Sequence, residues 1–328
     1  MKKILVFLLM MVLILSVGLT GCNEGEEAES TPPEEGPAYP EKPITFIVPW
    51  SAGGSSDQMA RALSSIAEKH LGQPLIVVNR DGAGGTIATT EVKGADPDGY
   101  TIMLNAVGVF TAQPFMREVD YTLEDFEAII GLSYEPIAVV VPADSDIYTA
   151  DDLKAKGSVK YASSGTGGLP HLSQAGLYGA LGIEADHIPE KGGAGAITAL
   201  LGGHVDIIAA HPGELIPHVE NGTFRFIGIF SPERFDLIPD VPTFKEMGYD
   251  LDFSVWKFIL VPDGTPEEVQ EVLKEKFGAM MQDPEIIKFA ENTNLTLSPI
   301  PAETVIEKLT NETTETKTVI ERLGLTPQ

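Results

Sequence analysis

The chain has 328 residues, 43% of them hydrophobic, and its 22 basic and 48 acidic residues give a formal net charge of −26. This length supports a sizeable core and about two domains. The strong negative charge excludes nucleic acid as a partner, because it would repel a polyanion, and it otherwise indicates a well-solvated surface.

The N-terminus has the pattern of an export signal. Two lysines precede the apolar run Ile4–Val17, which is short for a membrane span, and Leu19-Thr20-Gly21-Cys22 follows. Leu-Thr-Gly-Cys is the bacterial lipoprotein pattern, in which the signal is cut before the cysteine and the thiol carries a diacylglycerol. Cys22 is the only cysteine, so we expect residues 1–21 to be a signal peptide, Cys22 to be lipidated and the protein to lack disulfides.

Residues 22–40 form an acidic, proline-rich segment with little to bury. Such a composition is typical of an extended tether. We therefore expect an extracytoplasmic protein, anchored by lipid to a bacterial cell membrane, whose folded part begins at residue 41.

From Pro43 onward, apolar strands alternate with helices. The strand ITFIVPW, a helix over residues 56–71, the strand PLIVVN, a short helix and the strand YTIMLNAV predict an α/β fold. The buried strand EPIAVVVP runs to Pro142, and FILVPDGTP later echoes its end. Two such crossings suggest a two-strand hinge, with residues 41–141 plus 256–328 as lobe 1 and residues 142–255 as lobe 2.

Three glycine-rich loops each connect a strand to a helix: SAGGSSD, DGAGG and SSGTGG. A helix that begins at such a turn offers unpaired backbone N–H groups and the positive end of its dipole. Each loop could therefore hold a carboxylate or phosphate without a lysine or arginine. The alternative is that the glycines only form tight strand-to-helix turns.

Motifs of catalysis and metal binding are missing from the sequence. It has no Gly-x-Ser-x-Gly elbow, its six histidines lack metal-ligand spacing, and its glycine loops lack the Lys-Ser/Thr end of a P-loop. We therefore predict no enzyme activity, no cofactor and no metal. Two alternatives remain open: an exported anion-handling hydrolase or transferase that uses Ser164 with His171, and a ligand-loaded sensor for a signalling partner.

Several fragments, taken in order, resemble the tripartite tricarboxylate transporter receptors, the Bug-type solute-binding proteins. They include YPEKPITFIVPWSAGGSSDQMAR, LGQPLIVVNRDGAGG, ADPDGYTIMLNA, YASSGTGGLPHLS and LIPDVPTFKEMGYDL. The resemblance covers nearly all of residues 40–265. It implies a two-lobed, type II periplasmic-binding-protein-like fold with the ligand cleft between two α/β domains. It further implies a monomer that closes on a small di- or tricarboxylate or related organic acid and delivers it to integral-membrane transporter subunits.

The resemblance also implies a set of ligand-binding residues. In lobe 1 these are Ser51, Gly53, Gly54, Ser55, Ser56, Gly84, Gly85, Asn105 and Ala106. In lobe 2 they are Ser163, Ser164, Gly165, Thr166, Gly167, His171, Lys191, Asp206 and His211. Two of these residues have competing structural interpretations, His171 as a helix cap and Asp206 as a strand-start cap.

The sequence departs from the family pattern in the distal half of the expected pocket. Glu190 stands where the family often has Tyr, and Ala210 and His211 stand where an acidic residue and Asn are common. His211 and Glu214 could therefore set ligand identity, or His211 could be a buried, satisfied imidazole.

Overall fold

The computed structural model describes residues 39–251 and 253–322. Within them, ten strands join in one mixed sheet with helices packed against it. The strands are β1 (Ile44–Val48), β2 (Leu75–Asn79), β3 (Thr101–Ala106), β4 (Phe126–Pro142), β5 (Ser158–Ser163), β6 (Glu184–Pro189), β7 (Ile207–Ala210), β8 (Phe224–Phe230), β9 (Ser254–Pro262) and β10 (Leu297–Pro301).

Eleven helices alternate with these strands in the described part of the chain. They are α1 (Ser55–Leu71), α2 (Thr86–Lys93), α3 (Val107–Thr111), α4 (Gln113–Met116), α5 (Ala150–Lys156), α6 (Leu169–Leu181), α7 (Gly193–Leu201), α8 (Pro212–Glu220), α9 (Glu267–Met281), α10 (Pro284–Thr293) and α11 (Ala302–Arg322). Short 3₁₀ turns lie at Ala83–Gly85 and Leu123–Asp125. The predicted α/β architecture is confirmed.

The sheet has two halves that share β4, named here after a strand that each contains. In the β1 half the order is β2-β1-β3-β9-β4, with β1 parallel to β2 and β3, and β9 antiparallel to β3 and β4. In the β5 half the last residues of β4 pair with β7 and β8, and β7-β5-β6 follows with parallel pairing among β5, β6 and β7. Residues 126–136 of β4 thus belong to the β1 half and residues 137–142 to the β5 half.

The apolar runs that predict the strands form the core of each half. One cluster packs α1, α9 and α10 against β1, β3 and β9, and a second packs α7 and α8 against the β5 half. A third, larger cluster extends from the β1 half into the β5 half. The central strands β1, β3, β4, β7 and β9 are nearly continuous apolar runs because helices cover both of their faces.

The structure extends one predicted element and corrects another. Strand β4 starts nine residues before the predicted EPIAVVVP begins. In the added stretch, Gly131 and Ser133 interrupt the apolar pattern near register shifts in the β4–β9 ladder. The sequence predicts Thr149 and Thr265 as the N-caps of two helices. Thr149 caps α5 in a capping box with Asp152. Thr265 does not cap α9: it donates its hydroxyl to the Pro262 carbonyl, and Pro266 takes the cap position.

None of the helices in the described residues combines the length and apolar character that crossing a membrane requires. The predicted signal peptide, most of the predicted tether and Cys22 lie outside the described residues.

Candidate functional site

A cleft lies where the carboxyl ends of the parallel strands in the two halves of the sheet face each other. This is the edge at which open α/β sheets commonly bind ligands. The cavity there measures about 60 Å³, several times what one water molecule needs. Its lining comprises Trp50, Ser51, Gly54, Ser55, Ser56, Asp57, Gly84, Ala106, Gly108, Val109, Ser164, Gly168, Leu169, Pro170, Gly193, Ala209, Ala210, His211, Glu214, Val255 and Lys257.

The first glycine loop places the N-terminus of α1 at this cavity. Gly54 is the cap residue and has extended backbone, and as a glycine it has no side chain with which to cap the helix. Ser55 and Ser56 follow and are buried. Asp57 turns its carboxylate back onto the loop, where Oδ2 accepts from Gly53 N at 2.9 Å and from Arg61 Nε at 2.9 Å. Burial raises the pKa of Asp57, but these donors outweigh that effect and hold the pKa below its usual value.

Glu214 reaches the same helix N-terminus from the β5 half. Its Oε1 accepts from the backbone N–H of Ser55 at 2.7 Å. Its Oε2 is shielded from solvent and has no hydrogen-bond partner among the described residues. Burial, opposed by the Ser55 N–H and by Lys257, raises the pKa of Glu214 to about 6. The protein's own carboxylate thus lies where the loop offers its backbone donors.

A buried ion pair lies beneath Glu214. Lys257 on β9 and Glu135 on β4 are almost fully buried, and Lys257 Nζ contacts Glu135 Oε2. Burial raises the pKa of Glu135, but the opposing effects of Lys257 and His211 are together larger than that of burial. The pKa of Glu135 therefore lies below its usual value. His211 Nδ1 lies 3.3 Å from Glu135 Oε2 without forming a hydrogen bond. Burial lowers the pKa of His211 to about 4, and its imidazole is therefore neutral at pH 7.

The second and third glycine loops meet beside the cleft. Gly84 and Gly85 adopt positive φ angles of 66° and 99°, which favour glycine. An added Cβ on Gly165 would come within 3.3 Å of Gly84 Cα, so the two loops approach closely. Here they border a second cavity of about 240 Å³, lined in part by Gly85, Ser164, Gly165, Thr166 and Lys191.

Direct hydrogen bonds hold the two halves together around the cleft. Gln113 Nε2 and the Arg117 guanidinium both donate to the Thr166 carbonyl, at 3.0 and 2.9 Å. Ser51 N donates to the Lys191 carbonyl at 3.2 Å, and Lys191 Nζ lies 3.2 Å from Asp81. The cleft is therefore closed in this structure.

The structure brings many of the expected site residues to these cavities. Ser51, Gly54, Ser55, Ser56, Gly84, Ala106, Ser164 and His211 line the first, and Gly85, Gly165, Thr166 and Lys191 line the second. Gly53 and Gly167 lie in the same loops without lining either cavity. Whether these residues bind ligand stays a prediction.

Four further expected residues line neither cavity. Asn105 is buried, donates to Thr89 Oγ1 and accepts from Ala106 N. Ser163 Oγ lies 2.7 Å from His187 Nε2. Asp206 accepts from Lys160 N at 2.8 Å, away from the cleft.

His171, the fourth, accepts from Gly167 N through Nδ1 at 3.1 Å, so its ring closes the third loop. Burial, reinforced by His187, lowers the pKa of His171 to about 3. Among the described hydrogen bonds none joins Ser164 to His171, and the nucleophile and base of the enzyme alternative are therefore not coupled here.

Sequence reasoning missed Glu135 and Lys257. Both interrupt otherwise apolar strands, and a lone charge in a buried run is the available signal, since buried charges require a partner. Their pairing depends on the register that sets Lys257 opposite Ser133 and Glu135 opposite Val255. That register cannot be read from either strand alone. Among the described residues no group of three or more His, Cys, Asp or Glu side chains could hold a metal ion.

The chain is similar in sequence to known proteins. A family model described as tripartite tricarboxylate transporter family receptor matches residues 59–325. A relative from Cupriavidus necator, the UPF0065 protein in the gbd 5′ region, is 33% identical over 297 residues, which is 88% of this chain and 89% of the relative.

Solved structures show the same fold. The periplasmic binding protein BugD superposes with a TM-score of 0.83 at 30% identity, covering 88% of this chain and 100% of BugD. MatC from Rhodopseudomonas palustris, solved with bound malate, superposes with a TM-score of 0.80 at 24% identity, covering 86% of this chain and 100% of MatC.

Proposed function

Because the chain belongs to the tripartite tricarboxylate transporter receptor family, a family of solute-binding receptors and not of enzymes, we propose that it binds a small organic carboxylate in the cleft between the two halves of the sheet. The resemblance to MatC with malate supports this ligand class. The observation that carries the proposal is the N-terminus of α1, where Gly54, Ser55 and Ser56 line the cavity and the Ser55 N–H already binds a carboxylate, that of Glu214. Backbone N–H groups and the helix dipole favour an anion at such a position.

The proposal includes two lobes that close on the ligand. Lobe 1 contains the β1 half and lobe 2 contains the β5 half, and β4 with β9 forms the hinge. The contacts from Gln113 and Arg117 to Thr166 support this division, because they join the two lobes directly beside the glycine loops. Closure excludes water, which strengthens charge-assisted hydrogen bonds to the ligand.

The receptor would act as a monomer, extracytoplasmic and held to the membrane by lipid on Cys22, and would deliver its ligand to the membrane subunits of a tripartite transporter. The lipoprotein pattern at residues 19–22 and the family membership support these steps.

A thermal-shift screen tests the ligand class. The purified protein is heated with mono-, di- and tricarboxylates, amino acids and neutral sugars at equal concentration. Native-state binding raises the melting temperature, so we expect selective stabilisation by members of one carboxylate class. Stabilisation by a neutral sugar, with none by any carboxylate, would contradict the proposal.

A further inference from the structure

The charged groups at the cavity are paired, with one exception. Asp57 bonds Arg61 and the Gly53 N–H, and Glu135 contacts Lys257. His211 is neutral at pH 7, because its pKa is lowered to about 4. Glu214 alone brings a negative charge to the cavity wall that none of the described cations contacts.

The geometry of Glu214 leaves one of its oxygens without a donor. Oε1 is held by the Ser55 N–H at 2.7 Å, which fixes the orientation of the carboxylate. Oε2 is shielded from solvent and lacks a donor among the described residues. Gly193 lies opposite, and an added Cβ there would come within 2.5 Å of Oε2. The absence of a side chain at Gly193 therefore lets its backbone approach this oxygen closely.

A buried carboxylate oxygen without a donor is costly, and native structures normally provide a partner for such an atom. The partner missing here can come from a ligand that occupies the cavity. A neutral hydroxyl or amide would supply the hydrogen bond but leave the negative charge unbalanced. An ammonium group would supply the hydrogen bond and also a positive charge that balances the carboxylate. Its interaction with a carboxylate is strong where water is excluded.

We infer that Glu214 is a specificity-determining residue that selects ligands carrying an ammonium group next to their carboxylate. This inference rests on the proposed function, because the ligand carboxylate must lie in the same cleft. The carboxylate would face Ser56 and the second glycine loop, which line the cavity with Glu214, while the ammonium group would donate to Oε2. The ligand class is thereby narrowed from organic acids to zwitterionic amino acids.

Calorimetric titration with matched pairs of acids tests this inference. Each pair differs only in the α-ammonium group: propionate and alanine, succinate and aspartate, glutarate and glutamate, adipate and 2-aminoadipate. Malate serves as the hydroxyl counterpart of aspartate. We expect the tightest ligand to be an amino acid that binds at least about tenfold tighter than its partner, as one charge-assisted hydrogen bond would give.

The variant Glu214→Gln should remove that preference while both members of the best pair still bind. Glu220→Gln is the matched control, because Glu220 is exposed at the far end of the same helix and should leave the preference unchanged. Circular dichroism and melting temperature confirm the fold of each variant.

Three outcomes would overturn the inference. If an acid without an ammonium group binds as tightly as its amino counterpart, Glu214 does not select for the cation. The proposed function as a carboxylate receptor would then hold without this specificity. If Glu214→Gln tightens the binding of plain carboxylates, the Glu214 carboxylate instead occupies the anion site at the N-terminus of α1, and the ligand must displace it. If none of the acids binds, the proposed function fails and the inference fails with it.

Discussion

At the scale of single residues, the Glu135–Lys257 pair is the most consequential polar contact of the core. Both side chains are about 2% exposed or less, on adjacent strands within one hydrogen-bonded ladder. Such a pair contributes little net stability, yet removal of one partner leaves the other charge buried without compensation. His211 Nδ1 lies 3.3 Å from the same Glu135 oxygen, and Lys257 lines the cavity together with His211 and Glu214.

Lys257→Met should therefore destabilise the protein by about 3–5 kcal/mol, measured by urea unfolding. Lys274→Met is the matched control, because Lys274 pairs with Glu271 at the surface and its loss should cost at most about 1 kcal/mol. The double variant Glu135→Leu/Lys257→Met should recover part of the loss. Equal effects of the two single substitutions would contradict the buried-pair account.

Because the pKa of Glu214 is raised on folding, we expect the stability of the protein to depend on pH. The native state holds this proton more tightly than the unfolded chain, since the pKa rises from 4.5 to about 6 on folding. The ionised side chain therefore destabilises the native state above about pH 6, and that effect disappears below about pH 4.5. Glu135 stays ionised and His211 neutral over most of this window, because both of their pKa values are lowered.

When the pH falls from 7 to about 4.5, the ligand-free wild type should thus gain about 2 kcal/mol of stability relative to Glu214→Gln. Urea unfolding of both proteins across the range measures the difference. A difference that does not change with pH would show that Glu214 is not held in a desolvated position.

At the scale of elements, the glycine loops position the donors of the site. Gly53 has a φ of 93°, so a side chain there would strain the backbone as well as block the ligand. Gly54 has a φ of −78°, and an added Cβ would meet only Glu214 Oε1 at 3.1 Å and Gly193 N at 4.0 Å. Gly54 is therefore the better position at which to test the loop without breaking the fold.

Gly54→Val should weaken carboxylate binding by at least about tenfold, because its branched side chain would occupy the space in front of the helix N-terminus. Calorimetric titration measures the affinity. Gly179→Ala is the control, since an added Cβ at this helical position meets no atom within 4 Å and binding should be unchanged. Wild-type affinity in Gly54→Val would contradict the assignment of this loop.

Glycine loops and helix caps can be predicted from the sequence, because each depends on residues that lie close together in the chain. Strand, glycine turn and helix follow one another around SAGGSSD and SSGTGG, and the Thr149 capping box joins residues only three apart. Contacts between distant segments could not be predicted in this way. The Ser55–Glu214 hydrogen bond joins residues 159 apart, and the Thr166 carbonyl finds its donors on α4 and just after it. Lys257 and Glu135 required a strand register that no local pattern specifies.

At the scale of the whole molecule, strand β4 organises the cleft. It is a single 17-residue strand that belongs to the β1 half in its first part and to the β5 half in its last. The loops that follow β1 and β2 therefore face the loops that follow β5, β6 and β7 across one cleft. A change of orientation between the two halves would move both sets of backbone donors relative to the ligand, which is how closure would couple to binding.

A crystal structure of the protein with the carboxylate that raises its melting temperature most would show directly where the ligand binds. We expect a ligand carboxylate within hydrogen-bonding distance of the backbone N–H groups at Ser55 or Ser56, enclosed between the β1 and β5 halves of the sheet. A ligand bound outside this cleft, with the N-terminus of α1 still facing only Glu214, would contradict this expectation.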